Sequence, residues 1–298
     1  MVNQRFAVID IGSNTFHLII VDSQKSGAFE IINRHREFVY LAKDGIQFLS
    51  SDTIDRGFMA FARIAELCQK YKVEQIKAVG SAALRSASNA TDFVDLIHKE
   101  YDIQIDVISG LREAQLIYQG VALSGVQMEN PSLIVDIGGG SVECIIVING
   151  SITFFNSYNI GISELRHRFP HQDPISQHEI VLICDHLDSF LEEFLNKAVK
   201  AGISTLIGSS GPFEIIESIA QVKSHESISR EKIQVIAQKI LSEPLSGRLA
   251  MSRMPDGRAD LSVESLLIIY YLLDRIQSIN CALVSPYALK EGVISEMI

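Results

Sequence analysis

The sequence has no C-x-x-C pair, no excess of basic residues and no apolar run long enough to span a bilayer. Its four cysteines, Cys68, Cys144, Cys184 and Cys281, are widely separated. That spacing suggests neither a zinc site nor a disulfide framework. Cys144 and Cys281 lie in apolar, strand-like runs and read as buried free thiols. The net charge of −10 argues against a general nucleic-acid or anionic-membrane binder, both normally basic. A phosphorylated substrate is still compatible, because a few arginines and a metal can reverse the field inside one cleft. The longest apolar run, Leu266–Leu273, falls far short of the roughly 20 residues of a membrane helix. No basic and then apolar leader precedes the first strand signal, so a reducing cytoplasm is the expected location. No long segment is biased enough in composition to read as disordered.

What is present suits two domains with sizeable cores: 298 residues, 47% of them hydrophobic. Strand signals fall at Phe6–Ile11, Thr15–Val21 and Phe29–Leu41. A helical period then runs from Asp52 to Tyr71, with Ser51 or Asp52 as N-cap. Ile76–Arg85 reads as a strand ending in a small-residue turn. A helix near Asn89–Glu100, a strand within Ile103–Ile108 and a helix over Leu111–Leu123 follow. Residues 124–132 carry Gly, Asn and Pro breakers and read as a linker. The second half starts in the same way, with strands at Ser132–Ile137, Ser141–Ile148 and Ser151–Tyr158. Helices are expected over Ser163–Phe169, Ser176–Ala201, Ser229–Ser242 and Val263–Ser278. A strand at Ser204–Gly208 runs into a helix, and a strand at Cys281–Val284 precedes a terminal helix.

The stretches "AVIDIGSNTFHLIIVD" from Ala7 and "LIVDIGGGSVECIIVI" from Leu133 repeat one pattern. Asp10 matches Asp136, Gly12 matches Gly138, and the following apolar triplets keep the same offset. The expected fold is α/β: two similar domains of β-β-β-α-β-α-β-α type facing each other across a cleft. The first would span 1–124 and the second 125–298, with extra helices in the second and the terminal helix a candidate to pack back on the first. A strand-Gly-strand turn exposes backbone N–H groups and forms an anion-binding nest. Gly138, Gly139 and Gly140 allow close approach of a phosphate. Ser13, Asn14, Thr15 and Ser141 add side-chain donors. Gly208, Ser209, Ser210 and Gly211 form a third small-residue turn, opening a helix whose N-terminus attracts phosphate or which is a plain helix entry. An aspartate at the strand end beside phosphate holds a divalent cation or bonds the amides of its own turn. For Asp10 the two roles are balanced; for Asp136 the metal role is favoured.

These turns resemble the phosphate motifs of the actin, Hsp70 and sugar-kinase superfamily. With "GSAALRSASNATDFV", "VISGLREAQLIYQGV" and "RADL" they resemble, more specifically, the exopolyphosphatase and guanosine pentaphosphate phosphohydrolase family, in order over about residues 5 to 295. The resemblance implies two actin-like (ribonuclease H-like) domains and hydrolysis of phosphoanhydride bonds, with Mg²⁺ or another divalent cation. The substrate is then polyphosphate of short to medium length, guanosine pentaphosphate, or both. It implies Glu113 as the catalytic glutamate, Asp136 and Glu143 as metal- and water-handling carboxylates, and Arg85 as a phosphate contact. Three departures stand out: Arg112 replaces the first Glu of the family's S-G-x-E-E-A element, Ser81 replaces a Thr, and "ALKEG" at Ala288–Gly292 loosens a G-L-R-E-G element. The resemblance is to the family's short form, so long-chain processivity is not expected; a homodimer is implied by resemblance only.

Phosphoanhydride hydrolysis needs charge neutralisation, an aligned water and a group to orient or deprotonate it. Glu113, near a helix start, is the leading base, against the plain role of a first-turn Glu favouring the helix dipole. Glu143 is the second candidate, as base or as water and metal holder, against an exposed strand Glu; alternation places it on the face of Ser141. Arg85 is set to reach a phosphate in bidentate fashion or to be a solvated surface Arg. Arg253 and Arg258 are weaker candidates. The basic clusters Arg34–Arg36 and Arg166–Arg168 read as solvated faces, and His17, which aligns with Glu143 in the repeat, as a packing residue. A non-catalytic polyphosphate or alarmone sensor and a small-molecule kinase are the competing functions.

Overall fold

The computed structural model describes residues 4–24, 28–223 and 225–298. The chain divides into two units, Met1–Gly120 with Leu289–Ile298, and Val121–Ala288. The division falls at Gly120 rather than at residue 124, and the last ten residues belong to the first unit.

In the first unit, β1 (Arg5–Ile11) and β2 (Thr15–Ser23) are apolar and almost wholly buried, and they pair antiparallel. β3 (Phe29–Phe38) alternates in exposure, as an edge strand with one wet face does. It ends three residues before the expected Leu41, because the chain there serves the first turn. The amides of Val39 and Tyr40 donate to Asn14 O, and that of Ala42 to Ser13 O. α1 (Ser51–Lys70) has Ser50 at its N-cap position, one residue before the expected cap and without a side-chain capping bond. β4 (Gln75–Gly80) leads into a short helix, α2 (Ala82–Ser86), where a turn was expected. α3 (Ala90–Tyr101), β5 (Ile105–Val107) and α4 (Gly110–Leu123) follow. The sheet order is β3-β2-β1-β4-β5, with β1, β4 and β5 parallel. Phe16, Phe61 and Phe93 meet beneath it, with ring centroids 5.6 to 6.4 Å apart. Gly57 on α1 makes room for them: a Cβ there would lie 2.7 Å from the Phe93 ring.

The second unit repeats the plan. β6 (Ser132–Ile137), β7 (Val142–Ile148) and β8 (Ser151–Tyr158) form a meander, followed by α5 (Ile162–Arg168) and α6 (Gln177–Ala201). β9 (Thr205–Gly208) enters α7 (Gly211–Ala220). Then come β10 (Ile228–Ser229), α8 (Arg230–Ser242), α9 (Leu245–Ala250), α10 (Ser262–Arg275) and β11 (Cys281–Val284). The order β8-β7-β6-β9-β11, with β10 added at the edge, reproduces that of the first unit. The correspondence reaches single residues. Gly12 N donates to Thr15 O at 3.1 Å and Gly138 N to Ser141 O at 2.9 Å. The outer ladder shifts register between Ile20 and Val21 in one unit and between Ile146 and Val147 in the other. The two halves therefore share one offset through turn, strand and bulge.

The long apolar run is α10, buried on nearly every side, which is why its sequence shows no polar stripe. Among the described residues of this unit, Glu264 and Arg248 are enclosed and paired. Glu264 accepts from Arg166 at 2.7 Å and faces His171 Nε2 at 3.1 Å. Arg248 donates to Asp173 at 2.7 Å and to Glu243 O at 2.6 Å. Removing one partner of such a pair leaves a buried charge uncompensated. The last helix, α11 (Leu289–Ser295), lies against α4 so closely that a Cβ on Gly292 would sit 1.9 Å from Leu116 O. No helix among the described residues is long and apolar enough to cross a membrane.

Candidate active site

In open α/β sheets, ligands bind outside the carboxyl ends of the parallel strands. In the first unit Asp10 is the penultimate residue of β1, and its carboxyl-end neighbours are tied together by the backbone. Ser81 N donates to Ile11 O and Ile108 N to Gly80 O. These bonds place the first turn, α2 and the start of α4 along one sheet edge. Ser13 and Thr15 in that turn are buried, and Asn14 is half-buried.

Arg85 on α2 and Glu113 in the first turn of α4 meet there. Arg85 Nη1 donates to Glu113 Oε2 at 2.9 Å and to Ile108 O at 3.1 Å. The Glu113 side chain is only 8% exposed, so neither the solvated arginine nor the ordinary first-turn glutamate describes what is seen. Arg85 is not an open bidentate fork, since Nη1 is committed to protein oxygens. Its Nη2 is buried and has no hydrogen-bond partner among the described residues. A buried guanidinium nitrogen without an acceptor is costly unless a ligand oxygen supplies one. Arg112 turns elsewhere and pairs with Glu296 at the chain's end.

In the second unit Asp136 is the penultimate residue of β6, and the glycine turn follows. Its carbonyls are all occupied by the start of α5. Gly161 N donates to Gly140 O, Ile162 N to Gly138 O and Ser163 N to Gly139 O, at 3.2, 3.0 and 2.8 Å. Among the described residues the amides of Gly139 and Gly140 donate to nothing, which is the state of an anion-binding nest. The close approach depends on Gly161, where a Cβ would lie 2.5 Å from Gly139 O. The third turn closes on the same strand end. Ser209 Oγ donates to Asp136 Oδ2 at 3.0 Å, and Ser210 Oγ accepts from Ile137 N at 2.9 Å. The two hydroxyls expected to face phosphate are thus engaged with β6. Gly208 packs under the Phe213 ring and Gly211 under the Arg258 guanidinium, itself paired to Glu214. Ser141 is buried in the turn, before β7 begins. Glu143, opposite Asp136 in the ladder, is 1% exposed and accepts from Ser157 Oγ at 2.6 Å; it is not an exposed strand residue.

The profile of the Ppx/GppA phosphatase family matches residues 19–298 of this sequence. The chain belongs to the Ppx/GppA phosphatase family. A family relative, the guanosine-5'-triphosphate,3'-diphosphate pyrophosphatase of Pseudoalteromonas translucida (strain TAC 125), is 30% identical over 98% of this chain and 59% of its own length. This chain therefore spans about three fifths of that relative. Among solved structures, an exopolyphosphatase from Cytophaga hutchinsonii is 32% identical with a TM-score of 0.92, covering 99% of this chain and 97% of its own. The Aquifex aeolicus PPX-GPPA enzyme is 26% identical with a TM-score of 0.77, covering 98% and 99%. The two-sheet α/β architecture of this Ppx/GppA chain is the actin-like two-domain arrangement of those structures.

Three features have weak sequence signals or none: the Arg85–Glu113 pair in the first unit, and Gly161 and Ser157 in the second. The "NIGIS" glycine between strand and helix hints at the second. The basic clusters are neutralised locally, Arg34 by Glu291, Arg166 by Glu264 and Asp260, and Arg168 by Glu164. Arg253 offers its backbone oxygen to Ser218. Among the described residues no three His, Cys, Asp or Glu side chains group to hold a metal by themselves. A Mg²⁺ ion, held by one or two carboxylates with water and substrate phosphate, fits Asp136 and Glu143, which face each other across one strand pair.

Proposed function

We propose that this chain is a phosphohydrolase that releases the terminal phosphate of short to medium polyphosphate, of guanosine pentaphosphate, or of both. The observation that carries the reading is the buried Glu113–Arg85 pair with its spare guanidinium nitrogen. In the first unit Glu113 orients the attacking water or takes its proton, and Arg85 Nη2 receives a phosphoryl oxygen. Arg85 also fixes one oxygen of Glu113, so the base keeps one orientation. In the second unit the amides of Gly139 and Gly140 receive phosphate oxygens. Asp136 and Glu143 would hold Mg²⁺ or another divalent cation, which supplies charge neutralisation for phosphate when bound. The names of the relatives, a guanosine pyrophosphatase and an exopolyphosphatase, support this substrate class.

The test is a phosphate-release panel with graded polyphosphates, guanosine pentaphosphate and ATP, each with and without Mg²⁺. Metal-dependent release from the polyphosphates or from guanosine pentaphosphate is the expected result. Tight binding of either with no release would make the chain a sensor rather than an enzyme. Transfer of a phosphoryl group from ATP to an acceptor would make it a kinase.

A further inference from the structure

Asp136, Glu143 and Ser157 lie in one row across three neighbouring strands: Asp136 faces Glu143, and Glu143 faces Ser157. Two carboxylates directly opposite each other in a ladder repel, and here one of them is 1% exposed. Each has a serine hydroxyl on it. Ser157 Oγ lies 2.6 Å from Glu143 Oε1, and Ser209 Oγ lies 3.0 Å from Asp136 Oδ2. An ionised carboxylate only accepts, so both hydroxyls donate, and the shorter contact falls in the charge-assisted range. Ser157 is itself fixed, since its amide donates to Asn156 Oδ1 at 2.9 Å. The matching row of the first unit reads Asp10, His17, Arg36. It has neither the second carboxylate nor a serine, so this device belongs to the second unit alone.

We propose that Ser157 and Ser209 are positioning residues that hold Glu143 and Asp136 from outside, so that the carboxylate pair is set to share one divalent cation. This rests on the metal role given to Asp136 and Glu143 above. Hydrogen-bonded partners of ligating carboxylates typically contribute 10- to 100-fold to metal affinity.

The experiment is Mn²⁺ binding to the full chain, read by electron paramagnetic resonance, with thermal unfolding measured on the same samples. Ser157→Ala is expected to raise the Mn²⁺ Kd about 10-fold or more, and Ser209→Ala to do likewise. Ser157→Thr, which keeps the hydroxyl on a residue suited to a strand, is expected to keep the affinity. A merely structural serine would lower the unfolding temperature and leave the Kd alone. Asp136→Asn separates the two levels of the argument. If it abolishes Mn²⁺ binding while Ser157→Ala and Ser209→Ala bind like the unsubstituted chain, the positioning role is overturned and the metal role stands. If Asp136→Asn binds normally, or the unsubstituted chain binds no Mn²⁺, the metal role fails and takes the positioning role with it.

Discussion

Replacing Gly161 by Ala tests how the glycine turn is held. The new Cβ would sit 2.5 Å from Gly139 O and 2.5 Å from the Gly140 carbonyl carbon, both backbone atoms. Ordinary contact distances demand a retreat of about 1 Å. The retreat strains three amide bonds, from Gly161, Ile162 and Ser163 to the turn's carbonyls. Each contributes about 1 kcal/mol, and forcing a methyl into packed structure costs about 1–3 kcal/mol. If all three bonds are lost, the expected destabilisation is about 4–6 kcal/mol, read by equilibrium urea unfolding. Freed carbonyls would also turn toward the anion position, so affinity for tripolyphosphate, measured by calorimetry, is expected to fall by more than the stability loss alone explains. Gly202→Ala is the control. Its φ of +64° strains an alanine, but its Cβ meets nothing within 4 Å. It should cost about 1 kcal/mol with affinity unchanged. Gly161→Ala behaving like Gly202→Ala in both assays would refute the reasoning.

Stability should depend on pH through the enclosed Glu264 network. His171 has an acceptor at each ring nitrogen, Gln172 O at 2.7 Å and Glu264 Oε1 at 3.1 Å, so the doubly protonated ring fits best. The hydrogen bond to Glu264 raises its pKa above the ordinary 6.5, against burial and the nearby Arg166. That contribution is complete below pH 6.5 and is lost as pH rises through the raised value. Burial pushes Glu264 up, but His171 and Arg166 outweigh it and hold its pKa below the ordinary 4.5; its contribution is complete above 4.5 and lost as pH falls through the lowered value. Thermal unfolding scans should therefore show the network's full effect between these limits, and His171→Gln should abolish the alkaline fall. A pH-independent difference between the two proteins would contradict this. Arg112→Ala removes an ion pair whose side chains are 40% and 39% exposed. It should change stability by no more than about 1 kcal/mol and leave phosphate release within about two-fold; a large loss of release would place Arg112 in the reaction.

The repeated hairpin was legible because turn glycines, strand-end aspartates and apolar strands all leave local marks at one spacing. The structure adds a shared bulge and a shared turn bond that composition alone could not reveal. Sequence alternation put Glu143 on the face of Ser141, yet it left the burial of Glu143 and its pairing with Asp136 and Ser157 unread, because those depend on how the strands assemble into the sheet. The Arg85–Glu113 pair joins the end of α2 to the first turn of α4, which only the sheet order brings together. Gly161 was only hinted at, because the demand for a missing side chain comes from a tertiary approach, not from its own φ of −68°. The same holds for Gly292 against Leu116, which decides where the last helix packs. The enclosure of Arg248 and Glu264 leaves no mark in the sequence, which does not show that each has a partner waiting.

The most direct measurement is single-turnover phosphate release by Glu113→Gln with saturating substrate and Mg²⁺. The amide keeps the shape of the side chain and an oxygen for Arg85, so substrate affinity is expected within a few-fold of the unsubstituted chain. Loss of the base should slow release by about 10²–10⁴-fold. Release at the unsubstituted rate, with binding intact, would remove Glu113 from the chemistry and contradict the account.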